Sequence, residues 1–236
     1  MPLDTLDTVL TSIHPVTPRV KQFVLEAPDH TFDHRPGQHV SVAFRDDGDL
    51  VVRPYSPVSR PGSSRIALAV KRYPEGTCST WMHEREVGDT VSLMDPSGNL
   101  HLRDLDRDAV FLSTGTGITP MIAMLKALLD DGTGQATVVV GERTQDDLLY
   151  RETLDQLSAD HSRLSVHYVL SDEDWDGRTG YVQDHLGDVV RNAPHAHVFL
   201  CGVPEMVVET RSHLQSDLSV PKDHIFVEGW EDGAVE

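Results

Sequence analysis

The segment VFLSTGTGITP, residues 110–120, decides the fold of this chain. Val110–Ser113 predicts a short buried strand, and two glycines in Gly115-Thr116-Gly117 follow it at once. A helix is predicted next, over Ile118–Asp130, with Pro120 in its first turn, where a missing N–H is tolerated. A strand, a glycine turn and a helix can place a pyrophosphate on the helix N-terminus, although a purely structural turn is the alternative.

Downstream of this segment, strands continue to alternate with helices, which predicts a parallel sheet built of βαβ units. The further strands are predicted at Ala136–Gly141, Leu164–Leu170, His197–Cys201 and Ile225–Val227. Helical segments are predicted at Asp146–Leu157, Tyr181–Val190 (in part) and Pro204–Gln215. We therefore expect an α/β nucleotide-binding domain over residues 108–236.

Upstream, short alternating or β-branched runs are separated by Gly- and Pro-rich turns, a pattern typical of a small antiparallel barrel. The predicted strands are Asp7–Ile13, Val20–Glu26, Gln38–Phe44, Leu50–Val58, Ile66–Arg72 and Thr90–Asp95. One helix, Ser79–Arg85 with Ser79 as its cap, interrupts them. The prediction is a two-domain chain, with an N-terminal antiparallel β-barrel over residues 1–103 before the C-terminal α/β parallel-sheet domain.

Composition excludes several classes of protein. The chain has 236 residues, 39% of them hydrophobic, and a net charge of −18, which argues against nucleic acid or an anionic membrane as a partner. Its apolar stretches are too short to span a bilayer, and the N-terminus lacks signal-peptide features, so we expect a cytoplasmic protein. Two cysteines, Cys78 and Cys201, exclude a disulfide scaffold or a four-cysteine iron–sulfur cluster within this chain.

The acidity is uneven. Residues 1–103 hold 11 basic and 13 acidic side chains, a net −2, whereas residues 104–236 hold 9 and 25, a net −16. Asp outnumbers Glu by 26 to 12 and Arg outnumbers Lys by 16 to 4. Such a surface suits high salt, and a GC-rich genome produces the same bias.

A second motif is Arg53-Pro54-Tyr55-Ser56, at the end of a predicted strand. The fork of donors on Arg53 suits a diphosphate, the Tyr55 ring can stack on a flat heterocycle, and the Ser56 hydroxyl can bond a ring nitrogen. Taken alone, the pattern favours an edge strand with a surface arginine and a half-buried tyrosine.

Three further motifs lie at turns or strand ends. Gly76-Thr77-Cys78-Ser79 leads into the predicted helix at Ser79 and offers backbone N–H groups to an anion, or is a plain helix cap. Cys201-Gly202, followed by Met206, ends a strand on the same sheet edge as the 115–117 glycines, although a lone cysteine is more often a small buried hydrophobe. Glu228-Gly229-Trp230 follows the last strand, where an aromatic ring could cap a flavin or complete a satellite core.

Together, in this order, these motifs resemble the ferredoxin–NADP(+) reductase superfamily of flavoproteins over nearly the whole chain. The resemblance implies an FAD site and a site for NADPH or NADH. The implied FAD residues are Arg53, Pro54, Tyr55, Ser56, Val70, Lys71, Gly76, Thr77, Cys78, Ser79, Thr116 and Trp230. The implied NAD(P) residues are Gly115, Thr116, Gly117, Pro120, Glu142, Arg143, Cys201, Gly202 and Met206.

The resemblance also implies the catalytic roles. Ser56 would bond near the flavin nitrogen that accepts the hydride, Thr116 and Cys201 would flank the nicotinamide, Glu228 would organise the site, and Trp230 would cover the flavin. The chemistry belongs to the cofactors, and the protein aligns them. One departure from relatives is Asp95-Pro96-Ser97-Gly98, where Gly-Pro-x-Gly is common.

The choice between NADPH and NADH stays open. Relatives that bind NADPH commonly carry a Ser-Arg pair after the third strand, whereas this chain has Ser171-Asp172 followed by Glu173 and Asp174. That change favours NADH or weak discrimination. Arg143 and Arg178 keep NADPH possible.

We expect an NAD(P)H-dependent reductase that passes electrons through FAD to an acidic protein carrier, namely a ferredoxin, a flavodoxin or an oxygenase component. The alternatives are a free-flavin or ferric-chelate reductase and a non-enzymatic flavin- or nucleotide-binding sensor or subunit. We expect a monomer, with the carrier docking on the less acidic flavin half near its arginines, Arg35, Arg45, Arg60, Arg65 and Arg72. No metal site is expected, because His30/His34 and His195/His197 lack a third ligand at zinc-site spacing.

Overall fold

The computed structural model describes residues 4–190 and 195–228. Its first half is a six-stranded antiparallel sheet in the order β4-β3-β6-β1-β2-β5. Pro57 and Leu68 form an antiparallel bridge that joins the two outer strands and curls the sheet toward a barrel. The strands are β1 (Leu6–Thr17), β2 (Val20–Glu26), β3 (His39–Asp46), β4 (Asp49–Tyr55), β5 (Arg65–Lys71) and β6 (Thr90–Ser97), with helix α1 (Thr77–His83) between β5 and β6.

The second half is a six-stranded parallel sheet in the order β10-β9-β8-β7-β11-β12. Its strands are β7 (Ala109–Thr114), β8 (Ala136–Glu142), β9 (Leu164–Leu170), β10 (Arg178–Thr179), β11 (His197–Cys201) and β12 (Ile225–Glu228). Its helices are α2 (Ile118–Asp131), α3 (Arg151–Asp160), α4 (Leu186–Val189) and α5 (Pro204–Ser216). The strand order reverses between β7 and β11, and ligands bind at the carboxyl ends of strands at such a switch point.

The apolar pattern explains both sheets. In β2 and β5 the buried side chains of Phe23, Leu25, Ile66 and Leu68 fill the interior of the first sheet. In the second half β7 is buried on both faces, because helices cover both sides of the parallel sheet, and it therefore reads as an unbroken apolar run.

The two halves share one hydrophobic core. Val20, Ala67 and Leu100 from the first sheet and its connection belong to the same buried cluster as Met121 and Met124 of helix α2. Polar contacts reinforce this junction: Arg19 pairs with Asp147 at 2.9 Å, the Tyr150 hydroxyl donates to Gln22 at 2.9 Å, and Arg60 bonds Asp130 and Asp131 at the end of α2. The position of one sheet relative to the other is therefore set by packed side chains.

The predicted fold class is confirmed, and β2, β9 and β11 have the predicted bounds. The predicted helix Asp146–Leu157 is wrong. Gln145–Asp147 forms a single 3-10 turn, Tyr150 takes a left-handed backbone with φ of 57°, and α3 begins at Arg151. Burial of Leu148 and Leu149 in the shared core draws the chain inward and breaks the helix there.

Two local corrections concern the first half. Strand β4 stops at Tyr55 and not at Val58, because its ladder with β3 ends there and the next residues pair with β5, Pro57 opposite Leu68 and the Val58 N–H on the Ala67 carbonyl oxygen. Helix α1 begins at Thr77 with Gly76 as its N-cap, so Ser79 is not the cap; the Ser79 hydroxyl donates to the Gly76 carbonyl and accepts from the Tyr73 N–H.

Among the described residues, none of the helices has the length and apolar character needed to cross a membrane.

Candidate active site

A cleft of about 1330 Å³ opens between the two sheets. The first half contributes Arg19, Lys71 and Tyr73 to its wall, and the second half contributes the carboxyl ends of its strands. Those strand-end residues include Thr114, Gly115, Gly141, Glu142, Arg143, Ser171 and, from the start of α5, Met206. The cleft therefore lies where the topology predicts a ligand, and it is lined by both halves of the chain.

The glycine turn after β7 forms the floor of this cleft. Gly115 takes a positive φ of 57°, and a Cβ on Gly117 would overlap the carbonyl oxygen of Cys201. The turn after β11 also contacts the end of β7, since the Val203 N–H donates to Thr114 Oγ1 at 3.0 Å. The two strand-end turns thus touch through their backbones, Gly117 is required for that approach, and Gly115 is favoured by its positive φ.

Helix α2 starts at this turn, as the sequence predicted. Pro120 lies in its first turn and is buried, and the Thr119 hydroxyl donates to the Thr116 carbonyl at 2.9 Å. No acidic side chain occupies the first turn, so the positive end of a 14-residue helix points at the cleft without an internal counter-charge on the helix itself.

Cys201 and Glu228 meet at the ends of neighbouring strands. The two residues are in register between β11 and β12, and Cys201 is only 5% exposed. Burial and the nearby Glu228 carboxylate raise the pKa of the Cys201 thiol, so it stays protonated at neutral pH. Met206 is buried in the first turn of α5 beside Gly202.

A hydrogen-bonded chain that the sequence did not predict connects the two halves at this point. The Glu228 carboxylate accepts from His39 Nδ1 at 3.0 Å, and the Ser97 hydroxyl lies 2.8 Å from His39 Nε2. The side chains of His39 and Glu228 are 9% and 10% exposed. The second carboxylate oxygen of Glu228 is buried and has no partner among the described residues.

Gly98 leaves room for the hydrogen bonds that connect Ser97, His39 and Glu228. It has a φ of 102°, and a Cβ there would lie 2.8 Å from His39 Nδ1. Within residues 95–98, Ser97 contributes the hydroxyl and Gly98 leaves room for the imidazole, whereas the departure from the Gly-Pro-x-Gly pattern is Asp95. A histidine at the start of β3 carries no local signal for such a contact, since its partner lies 189 residues further along the chain.

The Arg53 motif lies at the end of β4, as expected. Arg53 is exposed, Tyr55 is half-buried, and Ser56 is 8% exposed with no hydrogen bond to another described side chain or backbone group. The Tyr55 hydroxyl and the Cys78 thiol lie close enough to influence each other, and burial is the main cause that raises the pKa of both groups. Residues 76–79 thus lie directly beside the Arg53 motif, with Gly76 and Thr77 at the start of α1.

Val70 and Lys71, at the end of β5, have different environments. Val70 is fully buried, and its carbonyl oxygen accepts from His83 Nε2 at 2.8 Å. Lys71 extends into the cleft toward Gly115 and lies 5.8 Å from the Tyr73 ring centre. Lys71 therefore belongs to the wall shared with the glycine turn.

Glu142 is the last residue of β8 and points at the same turn. Glu142 and Gly115 line the cleft together, one Glu142 oxygen is buried without a partner among the described residues, and burial raises the carboxyl pKa to about 7. Its neighbour Arg143 is 71% exposed and lies 3.8 Å from an oxygen of Asp172. Beyond β9, Glu173 accepts hydrogen bonds from the backbone and side chain of Gln145 at 2.7 and 2.8 Å.

Some residues singled out in the sequence lie outside this cleft or outside the described residues. Trp230 and Gly229 lie outside the described residues. The predicted docking arginines do not form one group: Arg60 pairs with Asp130 and Asp131, Arg65 pairs with Glu26 at 3.2 Å, and Arg35 and Arg45 flank opposite ends of β3.

The histidine pairs have packing partners. His34 is buried with Nε2 on the Ser59 carbonyl oxygen, and His30 packs edge-on against Phe32. His197 packs against Phe199 and Phe226.

Two family models match the chain. Residues 7–102 match the oxidoreductase FAD-binding domain, and residues 111–212 match the oxidoreductase NAD-binding domain. A ferredoxin–NADP reductase B from Sorangium cellulosum is 35% identical over 235 residues, covering 94% of this chain and 96% of that protein. An NADH-cytochrome b5 reductase 1 from Laccaria bicolor is 31% identical over 189 residues, covering 76% of this chain and 61% of that protein.

A solved structure of the CS-b5R domains of human Ncb5or, in its NAD+ form, has a TM-score of 0.86 and 27% identity. The match covers 96% of this chain and 70% of that one. Fold, site and similarity together define a two-domain oxidoreductase that binds FAD and a nicotinamide nucleotide.

The chain belongs to the ferredoxin–NADP reductase family. It is an NAD(P)H-dependent, FAD-containing reductase of the kind that supplies electrons to carriers.

Both cofactors fit the residues in place. The close-packed glycine turn at the start of α2 leaves backbone N–H groups facing a cleft large enough for a dinucleotide. At the flavin end, Ser56 is 8% exposed, and the second Glu228 oxygen is buried without a partner among the described residues, as expected of a group that faces a ligand.

Proposed function

We propose that this reductase takes a hydride from NADH onto FAD and passes the electrons to an acidic protein carrier, a ferredoxin, a flavodoxin or an oxygenase component. The observation that carries the proposal is the junction of Cys201 and Glu228 with His39. It brings the carboxyl ends of β11 and β12 against the first strand residue of β3, at the boundary between the two halves. Two cofactors bound in the two halves would therefore meet beside these three residues.

On this proposal each motif has a task. Arg53 would pair with the flavin pyrophosphate, together with the N–H groups at Gly76–Ser79, while the Tyr55 ring would stack on the flavin and Pro54 would shape the strand end. Ser56 would donate to the flavin nitrogen that receives the hydride. Thr116 and Cys201 would flank the nicotinamide, Gly202 and Met206 would shape its pocket, and Trp230, outside the described residues, would keep its expected role of covering the flavin.

FAD accepts two electrons as a hydride and can release them one at a time. The protein's own contribution is to hold the two rings in register and to keep the neighbouring groups in fixed protonation states. A buried, neutral Cys201 thiol provides a small apolar contact there and no charge that would compete with the nicotinamide.

The preference for NADH rests on the acids after β9. Asp172 neutralises Arg143, the cation at the end of β8, and Glu173 and Asp174 follow it. A 2′-phosphate would have to compete with Asp172 for the guanidinium in a region of negative charge, whereas a free 2′-hydroxyl would not. The relatives include proteins named for NADP and for NADH, so the local charges carry this proposal.

Anaerobic stopped-flow spectrophotometry tests the function. The purified protein should be yellow, its flavin absorbance should bleach faster with NADH than with NADPH, and the reduced form should pass electrons to one of a panel of ferredoxins and flavodoxins. A colourless protein that reduces added riboflavin would instead indicate a free-flavin reductase. Flavin that binds but is bleached by neither nucleotide would indicate a sensor or subunit.

We propose that the carrier docks near Arg35, the basic residue just before β3 and His39. Arg35 lies close enough to His101 to help lower the pKa of that imidazole, although burial is the larger cause, and Arg103 lies 2.7 Å from His101 Nε2. Arg35 and Arg103 thus both lie near His101 and form the basic patch proposed for docking, with the Arg103 guanidinium 5.0 Å from the centre of the Phe226 ring, on a chain whose net charge is −18. We propose that the protein acts as a monomer in the cytoplasm.

A further inference from the structure

Glu142 occupies an unusual place for a carboxylate. It lines the cleft together with Gly115, and one of its carboxylate oxygens is buried without a hydrogen-bond partner among the described residues. Gly115 opens the turn that leads into α2, whose first turn holds no acidic residue. A carboxylate beside this turn places negative charge where a nucleotide phosphate would otherwise lie.

The charges around Glu142 come from three other segments. Lys71 approaches from β5 and Arg19 from the connection between β1 and β2, and both favour the ionised carboxylate. Asp147, from the turn before α3, disfavours it, but Asp147 is itself paired with Arg19 at 2.9 Å. Arg143, the adjacent residue, is directed to Asp172. Burial outweighs the cations, so the pKa is raised to about 7.

We propose that Glu142 competes internally with the phosphates of the nicotinamide nucleotide, so that the nucleotide binds to the form in which this carboxyl group is protonated. The inference rests on the proposed function, because it takes this cleft to be the nucleotide site. Binding above neutral pH then takes up one proton from solvent, and release of the nucleotide returns it. No bond other than the O–H bond of Glu142 forms or breaks.

The direction of the pH effect follows from linkage. An anionic ligand next to Glu142 raises the carboxyl pKa further, so the complex holds the proton over a range where the free protein has lost it. Affinity should be constant below about pH 6.5 and should fall as pH rises through 7 and above. The limit is about tenfold per pH unit for one proton.

Isothermal titration calorimetry on the FAD-loaded protein tests this. The probes are ADP-ribose and NAD+, which transfer no hydride to oxidised flavin. Both lack the 2′-phosphate of NADPH, which would itself titrate near pH 6. Affinities are measured from pH 6.0 to 8.5, and at pH 7.5 in two buffers of different ionisation enthalpy to count protons. The wild type should lose at least about fivefold in affinity across this range and take up a fraction of a proton at pH 7.5.

Two variants separate the proposed role from general charge effects. Glu142→Gln should bind both probes with a flat pH profile, at least about fivefold more tightly than wild type at pH 8.5 and with no proton uptake. Glu205→Gln removes an exposed carboxylate from the same cleft and should keep the wild-type slope. Unchanged flavin absorbance and circular dichroism establish that each variant is folded.

A flat wild-type profile, or a slope that persists in Glu142→Gln, overturns the proposal and leaves the nucleotide site intact. Failure of every variant to bind either probe at any pH would instead overturn the assignment of the cleft to a nicotinamide nucleotide. A slope lost equally in Glu205→Gln would show that cleft charge in general, and not Glu142, sets the pH dependence.

Discussion

At the scale of single residues, Ser56 is the side chain whose removal we expect to affect hydride transfer most directly. It lies at the end of β4, is 8% exposed and has no partner among the described residues. Ser56→Ala should retain FAD but slow flavin reduction about tenfold or more, because it removes the donor proposed to polarise the accepting nitrogen. Stopped-flow reduction by NADH measures this, with Ser212→Ala on α5 as a remote control. A wild-type rate in Ser56→Ala contradicts the role.

At His39, we expect substitution to lower the free energy of unfolding. His39→Ala leaves a Glu228 carboxylate oxygen buried without its donor, which costs about 1–3 kcal/mol of unfolding free energy. His39→Gln supplies an amide N–H in place of the imidazole donor and should lose less. Denaturant titration of the holoprotein compares the three. Equal stability of wild type and His39→Ala would mean that water or another group replaces the imidazole at little cost.

Asp172 is the residue that we propose sets the preference for NADH over NADPH. Asp172→Ser removes the carboxylate near Arg143 and frees the guanidinium for a 2′-phosphate, so kcat/KM with NADPH should rise about tenfold while that with NADH changes little. The gain should vanish in the double variant Asp172→Ser/Arg143→Ala. If NADPH turnover is already as efficient as NADH turnover in the wild type, the proposed discrimination is wrong.

At the scale of secondary-structure elements, the turn after β7 limits which substitutions the protein can accept without losing stability. Gly117→Ala would place a methyl group against the Cys201 carbonyl oxygen, backbone against backbone, and should cost about 3 kcal/mol. Gly187→Ala, in α4, meets nothing within 4 Å and should be neutral or stabilising by up to about 1 kcal/mol. Thermal unfolding of both variants tests the difference, and a near-neutral Gly117→Ala would mean that the two strand ends can move apart.

Strands and turns with a local sequence pattern could be predicted from the sequence, whereas features set by contacts with distant residues could not. Strands such as Val20–Glu26 and Leu164–Leu170 were predictable because their pattern is local, and the glycine turn was predictable because strand, turn and helix are adjacent. The helix expected from Asp146 fails because Leu148 and Leu149 pack into a core formed largely by distant residues.

At the candidate site the same distinction holds. The Arg53, Gly76 and Cys201 motifs are contiguous and could be recognised. The Ser97–His39–Glu228 chain joins three remote segments, and neither composition nor periodicity records which histidine faces which carboxylate. The orientation of Glu142 toward Gly115 is also a tertiary property, because the strand pattern places it only at a sheet edge.

At the scale of the whole molecule, charge should direct the carrier. The half with net −16 repels an acidic protein, and the half with net −2 offers the patch at Arg35 and Arg103. Arg35→Glu should slow carrier reduction several-fold at low ionic strength and weaken its salt dependence. Arg45→Glu makes the same change of charge on the same half, at the far end of β3, and should have the smaller effect. Equal effects of the two variants would contradict docking at Arg35.

The shared core has a consequence for anyone who recombines this protein. Helix α2 of the second half packs on Val20, Ala67 and Leu100, so separating the halves would expose apolar surface on both products. A hybrid that exchanges the flavin half alone must also rebuild that seam, and a split-protein reporter cut in the 98–108 connection should reassemble through it. In gene fusions, the whole described chain is therefore the natural unit of exchange, with both cofactor sites moved together.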